Sequence, residues 1–138
     1  MNNSNKNFLM TPDKGFSNGI YQELIMEHAR NPRNVGVIYG TKKISAKNPF
    51  CGDEAEIFLK IKNGKIADIK YQIQGCILSR AALSIFSEHI KGRPISLIKK
   101  IKNEDIFKMV GGTPSPSRQN CVLFGLEAVK LALERGGI

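Results

Sequence analysis

Two stretches that alternate apolar and charged residues on either side of a two-residue turn place the strongest constraint on the fold of this chain. Residues 55–62 alternate in this way, with Phe58 as the exception, and residues 65–74 return with a similar apolar set. Asn63 and Gly64 lie between the two stretches, and both residue types tolerate the positive φ angles of a tight hairpin turn. The sequence therefore predicts an antiparallel β-hairpin.

The remaining secondary structure follows from the spacing of apolar residues. A weaker strand is predicted over residues 41–46, and the step from Ile66 to Ile69 breaks the two-residue period, which predicts a β-bulge near Asp68. Helical spacing predicts five helices, at residues 19–30, 79–91, 95–102, 103–110 and 118–135. Asn103 is the predicted N-cap of the fourth helix. This order predicts an α+β fold in which helices pack on one face of a small antiparallel sheet.

The length of 138 residues fits one domain. Residues 1–17 are polar and rich in Asn, Lys and Gly, and are predicted to be a disordered leader before a single domain over residues 18–138. The sequence contains no apolar run long enough for a signal peptide or a membrane span, so a cytoplasmic location and no membrane contact are expected.

The formal net charge of +9 is spread along the chain, and its one dense basic run, residues 99–102, is short. Nucleic-acid-binding domains usually combine a basic stripe with a recognisable aromatic or helical motif, and neither is present. Composition therefore argues against specific nucleic-acid binding. It favours a solvated basic surface that can serve an acidic protein partner.

Three cysteines and one aspartate form the candidate site. Cys51 precedes a predicted strand, Cys76 lies between the second hairpin strand and a helix, and Cys121 is expected in the first turn of the last helix. The start of a helix lowers a thiol pKa, because its backbone N–H groups favour the thiolate. Asp53 follows Cys51 by two residues, and in an extended chain two such side chains share a side.

A set of three sulfurs and one oxygen suits zinc or an iron–sulfur cluster. A carboxylate is a hard ligand among thiolates, so the set suits a labile site better than a permanent structural one. Gly52 and Gly75, beside the candidate ligands, allow close approach or unusual backbone angles. Spacing alone favours cysteines that only pack in the core over a shared metal site.

Four motifs raise the specificity of this hypothesis. They are residues 28–36 (HARNPRNVG), 48–53 (NPFCGD), 75–82 (GCILSRAA) and 121–130 (CVLFGLEAVK). In this order they resemble the IscU/SufU/NifU N-terminal family of iron–sulfur cluster scaffolds, and the resemblance spans residues 20 to about 135.

The resemblance implies an α+β sandwich with Cys51, Asp53, Cys76 and Cys121 as ligands at one end. It also implies a cluster scaffold or sulfur carrier rather than a conventional enzyme. In that family a cysteine desulfurase supplies sulfur, iron or zinc binds, and a transient [2Fe–2S] cluster is built and passed to apo iron–sulfur proteins. Cys121 matches the sulfur acceptor of the IscU branch, and Cys51 that of the zinc-dependent SufU branch.

Departures from the family pattern leave the branch open. Asn120 replaces the histidine that precedes the third cysteine in IscU proteins, and residues 113–118 (TPSPSR) replace the motif for Hsp70-type chaperones, which argues against such a partner. Arg118 resembles SufU and would lower the pKa of Cys121. However, the 45-residue step from Cys76 to Cys121 is short for SufU.

Two histidines, His28 and His89, lie within predicted helices. Histidine is a common metal ligand, but both positions favour local packing or capping over ligation.

Overall fold

The structure is a computed structural model that describes residues 19–49 and 52–135. The predicted leader over residues 1–17 and the predicted ligand Cys51 lie outside the described residues. In chain order the elements are α1 (Gly19–Arg30), β1 (Lys43–Lys47), β2 (Glu54–Lys62), β3 (Lys65–Gln74), α2 (Ile77–Ile90), α3 (Ile95–Ile98), α4 (Asn103–Val110) and α5 (Pro116–Arg135).

The predicted hairpin is confirmed as β2 and β3. Asn63 and Gly64 take φ angles of 54° and 74°, the left-handed values that the tight turn requires. The strands pair antiparallel from Lys62–Lys65 at the turn to Glu54–Gln74 at the open end, and Ala67 is the extra residue at a register shift. The predicted bulge near Asp68 is therefore confirmed, one residue earlier in the strand.

The three strands form an antiparallel sheet in the order β1-β2-β3. Its core-facing side consists of cross-strand apolar rows, such as Ile44, Ile57 and Tyr71, all of which are buried. Helix α5 packs against β1 and β2, while α2 packs against β3. Burying this apolar face against the helices forms the core. It stabilises the fold by about 25 cal/mol for each Å² of apolar surface removed from water. The α+β prediction is confirmed.

Several helix ends differ from the predicted ones. Helix α2 begins at Ile77 rather than residue 79, and α3 ends at Ile98 instead of continuing to residue 102. Lys102, not Asn103, is the N-cap of α4, and its backbone N–H donates to the Asp105 carboxylate at 2.9 Å. Helix α5 begins at Pro116, because the fixed φ of proline and its missing N–H suit the first helical position.

A glycine allows α2 and α5 to approach each other closely. A Cβ atom at Gly125 would lie 3.0 Å from Leu83 Cδ1 and 3.3 Å from Leu83 Cα. Both distances are shorter than ordinary van der Waals contact, so a side chain at this position would push the helices apart. The close contact sets the separation between the cysteine-bearing helix α5 and the start of α2.

A buried polar cluster fixes α1 and the loop after it to the middle of α2. The Nδ1 atom of buried His28 lies 2.7 Å from Ser84 Oγ, and the backbone N–H of Arg33 donates to the same hydroxyl at 2.8 Å. The side chain of Asn34 donates to Ser87 Oγ at 2.9 Å. These contacts give residues 28–36 a structural role. Local packing is confirmed for His28.

His28 should make folding stability depend on pH. Burial lowers the pKa of His28, Arg33 lowers it further, and the Glu88 and Glu27 carboxylates offset part of that effect. Below the ordinary histidine pKa of about 6.5 the unfolded chain binds a proton that the folded chain binds only at lower pH. The free energy of unfolding should therefore fall as the pH drops from about 6.5 through the folded-state pKa, by about 1.4 kcal/mol per unit of pKa difference.

Urea unfolding at pH 7.5 and 5.5 measures this effect. His28→Gln should remove most of the loss on acidification. His89→Gln is the comparison variant, because the charge on His89 is the smallest of the effects on the pKa of His28, so its removal should reduce the loss only slightly. An equal loss in the wild type and His28→Gln would contradict the assignment.

Candidate metal centre

The candidate site lies at the open end of the hairpin. Glu54 and Gln74 form the last strand pair, so Asp53 and Gly75 are the next residues on either side. A Cβ atom at Gly75 would overlap the Asp53 carboxyl group and would lie only 2.8 Å from its Cγ atom. Glycine at this position therefore makes room for the buried carboxylate beside the backbone, in agreement with the close approach predicted for Gly75.

Asp53 is 1% exposed, and its side chain is held by donors from three residues in two segments. The backbone N–H of Cys76 donates to Oδ1 at 3.2 Å, and the Ser79 hydroxyl donates to Oδ2. The side-chain amide of Asn48 lies 3.5 Å from Oδ2 and also donates to the backbone carbonyl of Asn120 at 3.3 Å. A buried carboxylate needs such donors, and these fix its position.

Before β2, backbone hydrogen bonds link Asn48 to Gly52 and Asp53. The Asn48 N–H donates to the Asp53 carbonyl at 2.7 Å, the Gly52 N–H donates to the Asn48 carbonyl at 3.0 Å, and Gly52 has a φ of 72°. The prediction that Cys51 and Asp53 share a side stays a prediction, because it depends on Cys51. The side chain of Cys51 lies outside the described residues.

Cys76 is the N-cap of α2, and its exposed thiol accepts the Ser79 backbone N–H at 3.4 Å. Its sulfur also lies 3.3 Å from Ser79 Oγ. Burial raises the pKa of the Cys76 thiol and Asp53 raises it as well, but hydrogen bonds with Ser79 and Cys121 outweigh both and leave the pKa below its ordinary value.

Cys121 is half-buried in the second turn of α5, not in its first turn as predicted. The favourable field of a helix terminus falls off within the first turn, so this argument for a thiolate holds for Cys76 rather than Cys121. Arg118 is exposed in the first turn, and its charge acts on Tyr21: burial raises the pKa of Tyr21, and Arg118 offsets part of that rise. The effect of Arg118 on Cys121 stays a prediction.

The structure brings Asp53, Cys76 and Cys121 together, with ligand atoms all within 4.8 Å of one another. Tetrahedral zinc with Zn–S bonds of about 2.3 Å needs sulfurs about 3.8 Å apart, so a shift of at most about 1 Å would complete such a geometry. Two thiolates and a carboxylate suit zinc or iron. Within the part of the chain that the structure describes, neither His28 nor His89 joins this group; His89 Nδ1 contacts the Ile85 carbonyl at 3.0 Å.

The fold and this site define a family of small metal- and cluster-handling proteins. Residues 20–135 match the family described as NifU-like N terminal domain, and the chain belongs to it. The resemblance to IscU, SufU and NifU scaffolds is confirmed. Across the residues that the structure covers, no helix combines the length and the apolar character needed to cross a bilayer.

The chain is similar to individual proteins of both the IscU branch and the SufU branch. The chain is 34% identical over 117 residues to the iron–sulfur cluster assembly scaffold protein IscU of Aquifex aeolicus, covering 83% of this chain and 74% of that protein. It is 29% identical over 137 residues to the zinc-dependent sulfurtransferase SufU of Bacillus subtilis, covering 86% and 93%. The solved N-terminal NifU-like protein of Brucella abortus shares the fold, with a TM-score of 0.69, 19% identity and coverage of 83% and 92%.

Gly75→Ala should displace the Asp53 carboxylate and destabilise the protein by about 1–3 kcal/mol, because the new Cβ atom has no room. Thermal or urea unfolding measures the loss. The same substitution in an Asp53→Ala background should cost less than half as much, because the overlapping group is gone. Equal losses in both backgrounds would show that Gly75 is needed for another reason.

Proposed function

We propose that this chain is an iron–sulfur cluster assembly scaffold. It accepts sulfur from a cysteine desulfurase, holds iron or zinc and a nascent [2Fe–2S] cluster with Cys51, Asp53, Cys76 and Cys121, and delivers the cluster to apo-proteins. The observation that carries the proposal is the convergence of Asp53, Cys76 and Cys121 within 4.8 Å from three distant parts of the chain. Membership of the NifU-like family supports it.

The donor set suits temporary binding of a cluster. Thiolates hold iron and zinc strongly, and a carboxylate oxygen is a harder and more readily exchanged ligand for a cluster iron. Cys76 is exposed at the start of α2, so this side of the site is open to a delivering or receiving protein. The cluster is cargo, and the chain acts as a carrier.

Sulfur delivery requires a thiolate on this chain. The thiolate attacks the outer sulfur of the desulfurase persulfide, the donor's S–S bond breaks, and the donor cysteine leaves as a thiolate while a new persulfide forms here. We propose Cys121 as the acceptor of a scaffold of the IscU type. Cys51 is the acceptor in the alternative function.

The alternative is a zinc-dependent sulfurtransferase, in which zinc organises the pocket and Cys51 carries persulfide. The similarity to SufU over 93% of that protein favours it. The alignment with SufU spans 137 positions but includes only 86% of the 138 residues of this chain. Some SufU residues therefore have no counterpart here. The short step from Cys76 to Cys121 favours the scaffold.

We further propose that residues 18–138 form one domain, that residues 1–17 are a leader, and that the protein acts in the cytoplasm. Its net charge of +9 suits acidic protein partners. Hsp70-type handling and specific nucleic-acid binding are not part of the proposal, because the chain lacks the sequence motifs that would support them.

Metal retention tests the site directly. Protein purified without oxygen should bind one Co²⁺ or Zn²⁺ per chain, and Cys51→Ala, Cys76→Ala and Cys121→Ala should each lower the affinity at least tenfold, because each removes one thiolate ligand. His89→Gln is the control, since it removes a competent metal ligand from elsewhere, and should bind normally. Full-affinity binding by all three cysteine variants would refute the site.

Reconstitution separates the two functions. With a cysteine desulfurase, cysteine, ferrous iron and a thiol reductant that is added after persulfide formation to convert persulfide sulfur to sulfide, a scaffold should develop the visible absorption of a [2Fe–2S] cluster and donate the cluster to an apo-ferredoxin. Mass spectrometry of alkylated peptides locates the persulfide. Persulfide on Cys51 with zinc retained and no cluster would establish the sulfurtransferase instead.

A further inference from the structure

A buried serine lies between two of the proposed ligands. Ser79 is 1% exposed, and its hydroxyl donates to Asp53 Oδ2 while its oxygen lies 3.3 Å from Cys76 Sγ. The residue is not one of the four proposed ligands. We propose that Ser79 is a positioning residue that holds the Asp53 carboxylate toward the thiols for metal capture, an inference that rests on the proposed function.

The hydroxyl of Ser79 is not needed to begin α2. Cys76 is the N-cap, and it accepts the backbone N–H of Ser79, a bond that any residue at position 79 would supply. Serine is also a weaker helix former than alanine. A buried hydroxyl at this position is therefore explained by its contact with the Asp53 carboxylate.

The other donors to Asp53 do not duplicate this contact. The backbone N–H of Cys76 donates to the other oxygen, Oδ1, at 3.2 Å. The Asn48 amide is 3.5 Å from Oδ2, at the long limit of a hydrogen bond. Of these two side-chain donors to Oδ2, the Ser79 hydroxyl is the closer one, and it orients the carboxylate.

A group that orients a metal ligand affects metal affinity without touching the metal. Loss of such partners typically lowers metal affinity by about 10–100-fold. Acting through Asp53, Ser79 should therefore matter only when the carboxylate is present. This dependence distinguishes positioning from simple packing.

Co²⁺ titration of the full chain under anaerobic conditions tests the proposal, with the thiolate-to-cobalt charge-transfer and d–d bands as readouts. Ser79→Ala should weaken Co²⁺ binding at least tenfold and change the d–d bands, as Asp53→Ala does. In the Asp53→Ala background, Ser79→Ala should cause no further loss beyond about twofold. Ser87→Ala removes another buried hydroxyl of the same helix and should leave the affinity unchanged.

A second pair of variants tests the hydroxyl at constant shape. Ser79→Thr keeps the donor and should bind Co²⁺ at least tenfold more tightly than Ser79→Val, which is isosteric with it but has no hydroxyl. Equal affinities for this pair, or an undiminished loss in the Asp53→Ala background, would overturn the positioning role while leaving the scaffold intact. No Co²⁺ binding by the wild type would overturn the proposed site itself and the positioning role with it.

Discussion

The antiparallel pairing of β2 and β3 is the constraint on which the site depends. It runs from the Asn63-Gly64 turn to the Glu54–Gln74 pair and so brings the turn before β2 beside the start of α2. Asp53 and Cys76, 23 residues apart, meet for this reason. A one-residue slip would turn every strand side chain to the opposite face, so burial of the apolar face also protects the register at the site.

Helix packing supplies the third ligand. Cys121 lies on α5, whose distance from α2 is set by the close contact of Gly125 with Leu83. Asn48 links the hairpin end to α5, because its side chain contacts both Asp53 and the carbonyl of Asn120, next to Cys121. The sulfur from α5 is thus fixed to the same turn that carries the carboxylate, and the site forms only when sheet and helices are both in place.

Local sequence patterns predicted the parts of this structure that have local causes. The bounds of α1 and β3, the turn and the bulge follow from periodicity and from the φ preferences of Asn and Gly. The predicted start of α5, residue 118, was two residues late, although proline at position 116 is well suited to the first turn. The roles of Ser79 and Asn48 were missed because their contacts join residues up to 72 positions apart, which no short-range spacing reveals.

The two sides of the site differ in rigidity, and this difference bears on how cargo could be exchanged. The carboxylate is buried and held by donors from the β2 turn and α2, whereas the Cys76 thiol is exposed on the solvent side. Fixed donors reduce the reorganisation needed for metal capture, but a fully enclosed cluster could not be handed on without opening the fold. In the proposed scaffold, a rigid hard ligand on one side and an accessible soft ligand on the other would allow capture and release from one folded state.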